Sequence, residues 1–381
     1  MFGFRELFPC YKVLPDFLVL NFCKTKIRRE MRKVLILLIF SFFLSLASTK
    51  PYIKPIVHSQ EDISNACKQK KDKRIWRDVK LDTVFSIYGN GRDKLLYPSK
   101  IFVDKLGNLY VLDFYSPGVF KFSSDGKFIL KYGKGKGEGP GEFKQPVDFY
   151  VSDDGMVYVC DMARGFITVF DDQGNVKNTV KVEGVPARIV VLKDKTFVIQ
   201  RFTGDMFQRY NLSGKVIKSF GRFFKEEYAI PADVRLIYDG NFIYGAFVRG
   251  GYLFSYSAEG NLKYLCETID RFPMPGFIQK QEKERNKTVI GITPDPNAPI
   301  SAIDISVTDS LIYLLAGTAS KKEKGVVVDV YDKFSGQYLY SMRFSKPQDV
   351  EGVTSLFVFK GYIFTAEILK NGDARIRKYK F

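Results

Sequence analysis

Pro98–Phe128, PSKIFVDKLGNLYVLDFYSPGVFKFSSDGKF, aligns without a gap on Pro146–Val176, PVDFYVSDDGMVYVCDMARGFITVFDDQGNV. Pro98 meets Pro146, Gly107 meets Gly155, Asp113 meets Asp161 and Gly126 meets Gly174, each pair 48 residues apart. Strand-like runs between glycine turns at a fixed period of this size describe a toroidal β-repeat, in which each unit hides its apolar face only against its neighbours. The first unit reads as four short antiparallel strands ending near Tyr132, and the second repeats it through Val182.

The later units are looser. The turn glycine of the third, Gly214, lies 40 residues past Gly174, and the fourth and fifth units carry Gly260 and Gly336. A sixth unit ends in Ala374–Tyr379 with only three strands, while an unpaired strand-like run stands at Val79–Tyr88. A closed ring leaves no open edge if the strand from one terminus completes the blade built by the other. The expectation is an all-β, six-bladed β-propeller of four-stranded antiparallel blades over residues 79–381, closed by an N-terminal strand. Between the fourth and fifth units the glycines are 76 residues apart, so residues 271–300, rich in proline around Gln279–Lys287, read as an insertion. Long insertions into a repeat map to one face, as a ligand-bearing element or as a solvated excursion.

The segment before the repeat has its own logic. Met31-Arg32-Lys33 precedes the apolar run Val34–Ala47, and Ser45 and Ala47 occupy the −3 and −1 positions of a cleavage site. These are the ordered parts of a secretory signal, and the 14-residue run is shorter than the roughly 20 residues of a spanning helix. Residues 31–47 are therefore expected to direct export to the periplasm or the extracellular space, with membrane anchoring through 34–47 if the segment is not removed. Residues 1–30 read as an upstream extension, and residues 48–78 as a polar, flexible lead-in.

The chain carries a net charge of +17, which would suit an anionic partner. Beyond residue 47 it holds one histidine, His58, and three cysteines, Cys67, Cys160 and Cys266, without the close spacing of a disulfide framework or a zinc site. Neither a histidine-held metal nor a Ser-His-Asp or Cys-His site can be assembled inside the repeats.

Gly135-Lys136-Gly137-Glu138-Gly139-Pro140-Gly141-Glu142-Phe143 leads to Pro146, followed by Tyr158-Val159-Cys160-Asp161 and Phe170-Asp171-Asp172-Gln173-Gly174. This pattern resembles the NHL repeat over Pro98–Val182 and more weakly to Asn261. The resemblance implies a six-bladed propeller and is similar to exported bacterial propellers of unassigned role. It also brings in two enzyme types on this scaffold. One is the amidating lyases, whose metal-binding histidines are missing here. The other is the calcium-dependent lactonases, whose paired Asn/Asp pattern is not found.

The glycine run Gly133–Gly141 lacks G-K-[ST] and a following helix, so it reads as a crossover between blades rather than a phosphate loop. Asp113 and Asp161 close the second strands of their blades, where a carboxylate can hold a turn or meet a ligand. The same face offers Tyr115, Arg164, Arg201 and Arg249, a mixture of cations, acceptors and aromatic surface suited to capturing an oriented ligand. The expected function is an exported, non-enzymatic binding or scaffold module that acts as a monomer on a protein, peptide or carbohydrate. No cofactor is expected, with calcium as the one alternative, and a calcium-dependent lactonase-type hydrolase or lyase is the second reading. Nucleic acid binding, known for some NHL domains, fits poorly with a secretory signal.

Overall fold

The computed structural model describes residues 52–54, 63, 65–89, 91, 94–202, 205–223, 233–284 and 287–381. The signal-like segment 31–47, the extension 1–30 and His58 lie outside these residues. Among the described residues, no helix is long and apolar enough to cross a membrane.

Six antiparallel sheets radiate around one axis. Blade 1 consists of Pro98–Val103, Leu109–Asp113, Gly118–Phe122 and Phe128–Tyr132. Blade 2 consists of Pro146–Val151, Val157–Asp161, Phe166–Phe170 and Val176–Lys181. Blade 3 runs from Arg188–Val191 to Val216–Phe220, and blade 4 from Val234–Tyr238 to Leu262–Glu267. Blade 5 spans Ala302–Val307 to Tyr338–Phe344 and includes a six-residue helix, Gly317–Lys322, between its second and third strands. Blade 6 is Val350–Phe359, Tyr362–Leu369 and Ala374–Lys380, completed by Asp82–Ile87. The first-written strand of each blade is innermost and packs against the inner strands of both neighbours.

The turns explain the 48-residue repeat. In blade 1 the Asp104 carboxylate accepts the N–H groups of Leu106 at 2.9 Å and Asn108 at 2.8 Å. Gly107 then takes φ +88°, and its repeat partner Gly155 takes +81°, a left-handed conformation that costs little only without a Cβ. Between blades, aromatic rings fill the wedge: Tyr110 stacks on Tyr132 at 6.2 Å, and Tyr132 meets Phe170 of blade 2 edge-on at 5.9 Å.

Residues 65–78 correct the expectation of a flexible lead-in. They form a strap across blades 4 and 5, joined by a disulfide between Cys67 and Cys266 that the cysteine spacing did not suggest. Gln69 donates to the Gly336 carbonyl at 2.9 Å and accepts the Tyr338 N–H at 2.6 Å. Arg74 makes two bonds, of 2.9 and 2.8 Å, to the buried carboxylate of Asp329 and an ion pair of 2.7 Å with Asp270. Trp76–Asp78 then adds a fifth, parallel strand to blade 5. A polar segment is ordered here because its charges and amides meet matched partners.

The insertion is a hairpin, Phe277–Glu284 with Lys287–Pro294, and Tyr52–Lys54 pairs antiparallel with its first strand.

A candidate functional site at the axial mouth

The second strands and the crossovers end on one face of the ring, and the structure ties the expected site residues into its loops. The buried Asp113 accepts four backbone N–H groups, from Leu96 at 2.7 Å, Tyr97 at 2.8 Å, Tyr115 at 3.0 Å and Ser116 at 2.7 Å. Burial raises its carboxyl above the ordinary aspartate value, against the pull of those four donors. Asp161 does the same work one blade later, accepting Lys144 N–H at 2.8 Å and Gln145 N–H at 3.1 Å. Both carboxylates lock the entering crossover to the loop after the second strand.

Arg164 clamps the glycine-rich crossover by donating to the Glu142 carbonyl at 2.6 Å and the Glu138 carbonyl at 2.9 Å. Arg249 is buried and donates to the Ala298 carbonyl at the end of the insertion. Arg201 lies beside Gly184, in the connection from blade 2 to blade 3, and its charge acts on the Tyr210 hydroxyl. Tyr115 leads toward the axis, its ring edge-on to Tyr97 at 5.6 Å.

The residues that converge on the axis come instead from the inner strands. Each blade contributes one polar side chain, namely Lys100, Asp148, Arg188, Arg235, Asp304 and Ser355. Each stands opposite the equivalent position of its blade's second strand: Leu112, Cys160, Gln200, Ala246, Leu315 and Ala366. Each also reaches the inner backbone of the next blade. Lys100 Nζ donates to Phe149 O at 3.0 Å, and Asp148 Oδ2 accepts Ile189 N–H at 2.9 Å. Arg188 Nε donates to Val234 O at 2.9 Å, and Arg235 Nε to Ile303 O at 2.5 Å. Asp304 Oδ2 accepts Leu356 N–H at 3.0 Å, and Ser355 Oγ accepts Ile101 N–H at 2.9 Å, which closes the circle. Cations find carbonyls, while carboxylates and the hydroxyl find N–H groups, so the belt joins the blades.

A sequence signal for this belt exists. Lys100, Asp148 and Arg188 each lie two residues after a proline that opens the blade, Pro98, Pro146 or Pro186. Blades 4 to 6 lack that proline.

Above the belt, Asp233 sits between two guanidinium groups. Arg188 Nη2 lies 2.8 Å from Asp233 Oδ1 and 3.1 Å from Oδ2, while Arg235 Nη1 stands 3.6 Å from Oδ2. The side chains of Arg188, Asp233 and Arg235 are 12%, 32% and 23% exposed, so the cluster meets solvent at the mouth. Burial and the like charge of Arg188 hold the Arg235 guanidinium below its ordinary value. Across the axis, Tyr97 of blade 1 feels the charge of Arg235 in the opposite blade; burial is nevertheless the larger influence and raises the phenol.

Below the belt the axis is filled. Phe102 packs against Tyr150 at 5.6 Å and Phe357 at 5.4 Å, and the Tyr150 hydroxyl donates to Tyr238 O at 3.2 Å. Between belt and rings is a void of about 10 Å³, touched by Lys100 and Asp304, which is the space of one water. The mouth thus presents polar side chains above buried aromatic rings. Among the described residues no group of three or more His, Cys, Asp or Glu side chains is placed to hold a metal ion.

Comparison with known proteins agrees with this architecture. A family model described as a six-bladed β-propeller matches residues 92–215. A protein from Bacteroides fragilis described as exported shares the fold at 11% identity and a TM-score of 0.51, with 83% of this chain and 99% of that one covered. Virginiamycin B lyase from Staphylococcus aureus matches at 12% identity and a TM-score of 0.50, over 79% of this chain and 99% of the lyase. A catalytically inactive histidine-to-alanine variant of that lyase, with quinupristin, matches at 13% identity, a TM-score of 0.50 and the same coverage. At these identities the likeness is one of fold. No curated protein sequence matches this chain.

Proposed function

We propose that this chain is an exported, non-enzymatic binding propeller whose ligand sits at the axial mouth of the crossover face. One observation carries the reading: Arg188, Asp233 and Arg235 meet solvent where six inner strands converge, with Tyr97 and Tyr115 beside them. Polar groups held rigidly over an apolar floor are the usual make-up of a small-ligand site. Asp113, Asp161, Arg164, Arg201 and Arg249 serve this site by fixing the loops that frame it, and Tyr115 offers its ring directly. The carboxylates nearest the axis, Asp148, Asp233 and Asp304, already hold Lys100, Arg188 and backbone N–H groups. That arrangement favours binding over calcium-dependent hydrolysis. Export is supported by the signal-like residues 31–47 and by the Cys67–Cys266 disulfide, a bond at home in oxidising compartments.

Two measurements test the reading. N-terminal sequencing of protein recovered from the native host should begin at Ser48. Hydrogen exchange with a ligand found by thermal-shift screening of sugars, organic acids and peptides should show protection in 94–98, 113–117 and 233–236. Protection confined to the 277–294 hairpin would place the site on the insertion instead.

A further inference from the structure

Resting on that reading, we propose that the axial mouth takes a small carboxylate, lodged between the Nη edge of Arg235 and the hydroxyl of Tyr97. The two guanidinium groups at the mouth are not equivalent. Arg188 bonds through Nε to Val234 O, through Nη1 to Ala187 O at 2.7 Å and through Nη2 to Asp233, which fixes it as a structural part of the rim. Arg235 bonds through Nε alone. Its Nη1 stands 3.6 Å from Asp233, beyond hydrogen-bond length, and among the described residues its Nη2 has no partner. A guanidinium with an open Nη edge is shaped for two parallel bonds to a planar carboxylate.

Tyr97 supplies the second contact. Its side chain is only 7% exposed, yet its hydroxyl has no hydrogen-bond partner among the described residues. Other buried tyrosines place theirs: Tyr264 donates to Lys333 O at 2.9 Å, and Tyr331 accepts Ile269 N–H at 3.1 Å. The hydroxyl is not one of the buried groups left unpaired, so it reaches solvent at the mouth, where it can donate to a ligand. Tyr97 belongs to blade 1 and Arg235 to blade 4, on opposite sides of the axis, near enough for the Arg235 charge to act on the phenol.

Lys100, Arg188 and Arg235 equal Asp148, Asp233 and Asp304 in number, so the preference for an anion comes from the open Nη edge of Arg235 and not from net charge. The void beneath the belt admits a water and nothing larger, so the ligand stays above it. Its non-ionic part then lies against the half-exposed ring of Tyr115.

The test compares glutarate with glutaramide and galacturonate with galactose, by calorimetry and thermal shift on the full chain. The carboxylates should bind at least about tenfold more tightly than their uncharged partners, as loss of a charge-assisted pair requires. Arg235→Gln should weaken carboxylate binding by about tenfold or more, and Tyr97→Phe should do so while leaving Tm nearly unchanged. Equal binding of the uncharged compounds, no shift with either carboxylate at millimolar concentration, or unchanged affinity in Tyr97→Phe overturns the carboxylate assignment. Those results leave the axial mouth standing as a site for another ligand class. Carboxylate binding with exchange protection only in the hairpin overturns the assignment and the proposed site together.

Discussion

Cys67 and Cys266, 199 residues apart in sequence, are joined by a disulfide that pins the N-terminal strap to the outer strand of blade 4. Backbone bonds flank the bridge on both sides, from Cys67 N–H to Leu265 O at 2.8 Å and from Glu267 N–H to Cys67 O at 2.9 Å. Closing so long a loop restricts the unfolded chain strongly, so reduction or a Cys67→Ser, Cys266→Ser pair should cost about 2–5 kcal/mol of stability. Denaturant midpoints with and without reductant measure the loss, and coincident curves would show the bridge to be idle.

The strap makes the N-terminal deletions informative. Removing residues 48–64 takes Tyr52–Lys54 from the hairpin and the buried Ile63 from the core, and should lower the melting temperature only modestly. Removing 48–72 takes away Cys67 and Gln69 and should lower it clearly, against the free tolerance that a flexible lead-in implies. Removing 48–90 also takes Asp82–Ile87 from blade 6 and should give aggregation, since Ala374–Lys380 then becomes an open edge. Circular dichroism melts and size-exclusion profiles separate the three outcomes.

Blade 6 is sensitive at its centre. Arg375 and Glu367, whose side chains are 1% and 2% exposed, pair at 2.6 Å, and Glu367 Oε1 also accepts the hydroxyls of Thr365 and Tyr379 at 2.9 Å each. Arg375→Met removes the hydrogen-bonded cation from a buried carboxylate, leaving only Arg377 Nε at 3.8 Å, and should destabilise by about 3 kcal/mol. Arg375→Met with Glu367→Leu should recover much of that loss. Chemical unfolding of the two variants reads the difference.

Asp329 gives a pH signature. Burial raises its carboxyl above the ordinary value of 3.8, while Arg74 pulls it back. A group whose folded pKa exceeds its unfolded one takes up protons on folding, so its contribution to stability falls as pH rises from the unfolded value through the folded one. Arg74→Met removes the opposing charge and raises the folded value further. The variant should therefore lose stability, relative to the parent, progressively as pH rises above about 4. Parallel pH profiles in the two proteins would contradict the coupling.

The ring was legible because Pro98, Gly107, Asp113 and Gly126 recur as Pro146, Gly155, Asp161 and Gly174, and each holds a turn that every such blade needs. Lys100 and Arg188 were not legible as axial residues. A charged side chain in a strand reads as solvent-facing until closure turns the inner strands toward one another, and Arg235, Asp304 and Ser355 lack an entry proline to mark the register. Gln69 and Arg74 were hidden for a related reason. Residues 68–74 read as a linker because their composition is polar, and their partners Tyr338 and Asp329 lie more than 250 residues away. The loop role of Asp113 and Asp161 was among the sequence alternatives, whereas the open hydroxyl of Tyr97 had no sequence signal at all.

Closure by Asp82–Ile87 also sets a timetable. That strand is made early and its partner Ala374–Lys380 late, so blade 6 has no outer strand until almost the whole chain is present. A molecule threaded through a membrane from its amino end would wait, with an unfinished circle, for residues still on the near side. Such distant pairing slows folding and leaves edges exposed meanwhile. The disulfide between Cys67 and Cys266 belongs to an earlier moment, once blade 4 has emerged, and can hold the waiting strand beside the ring.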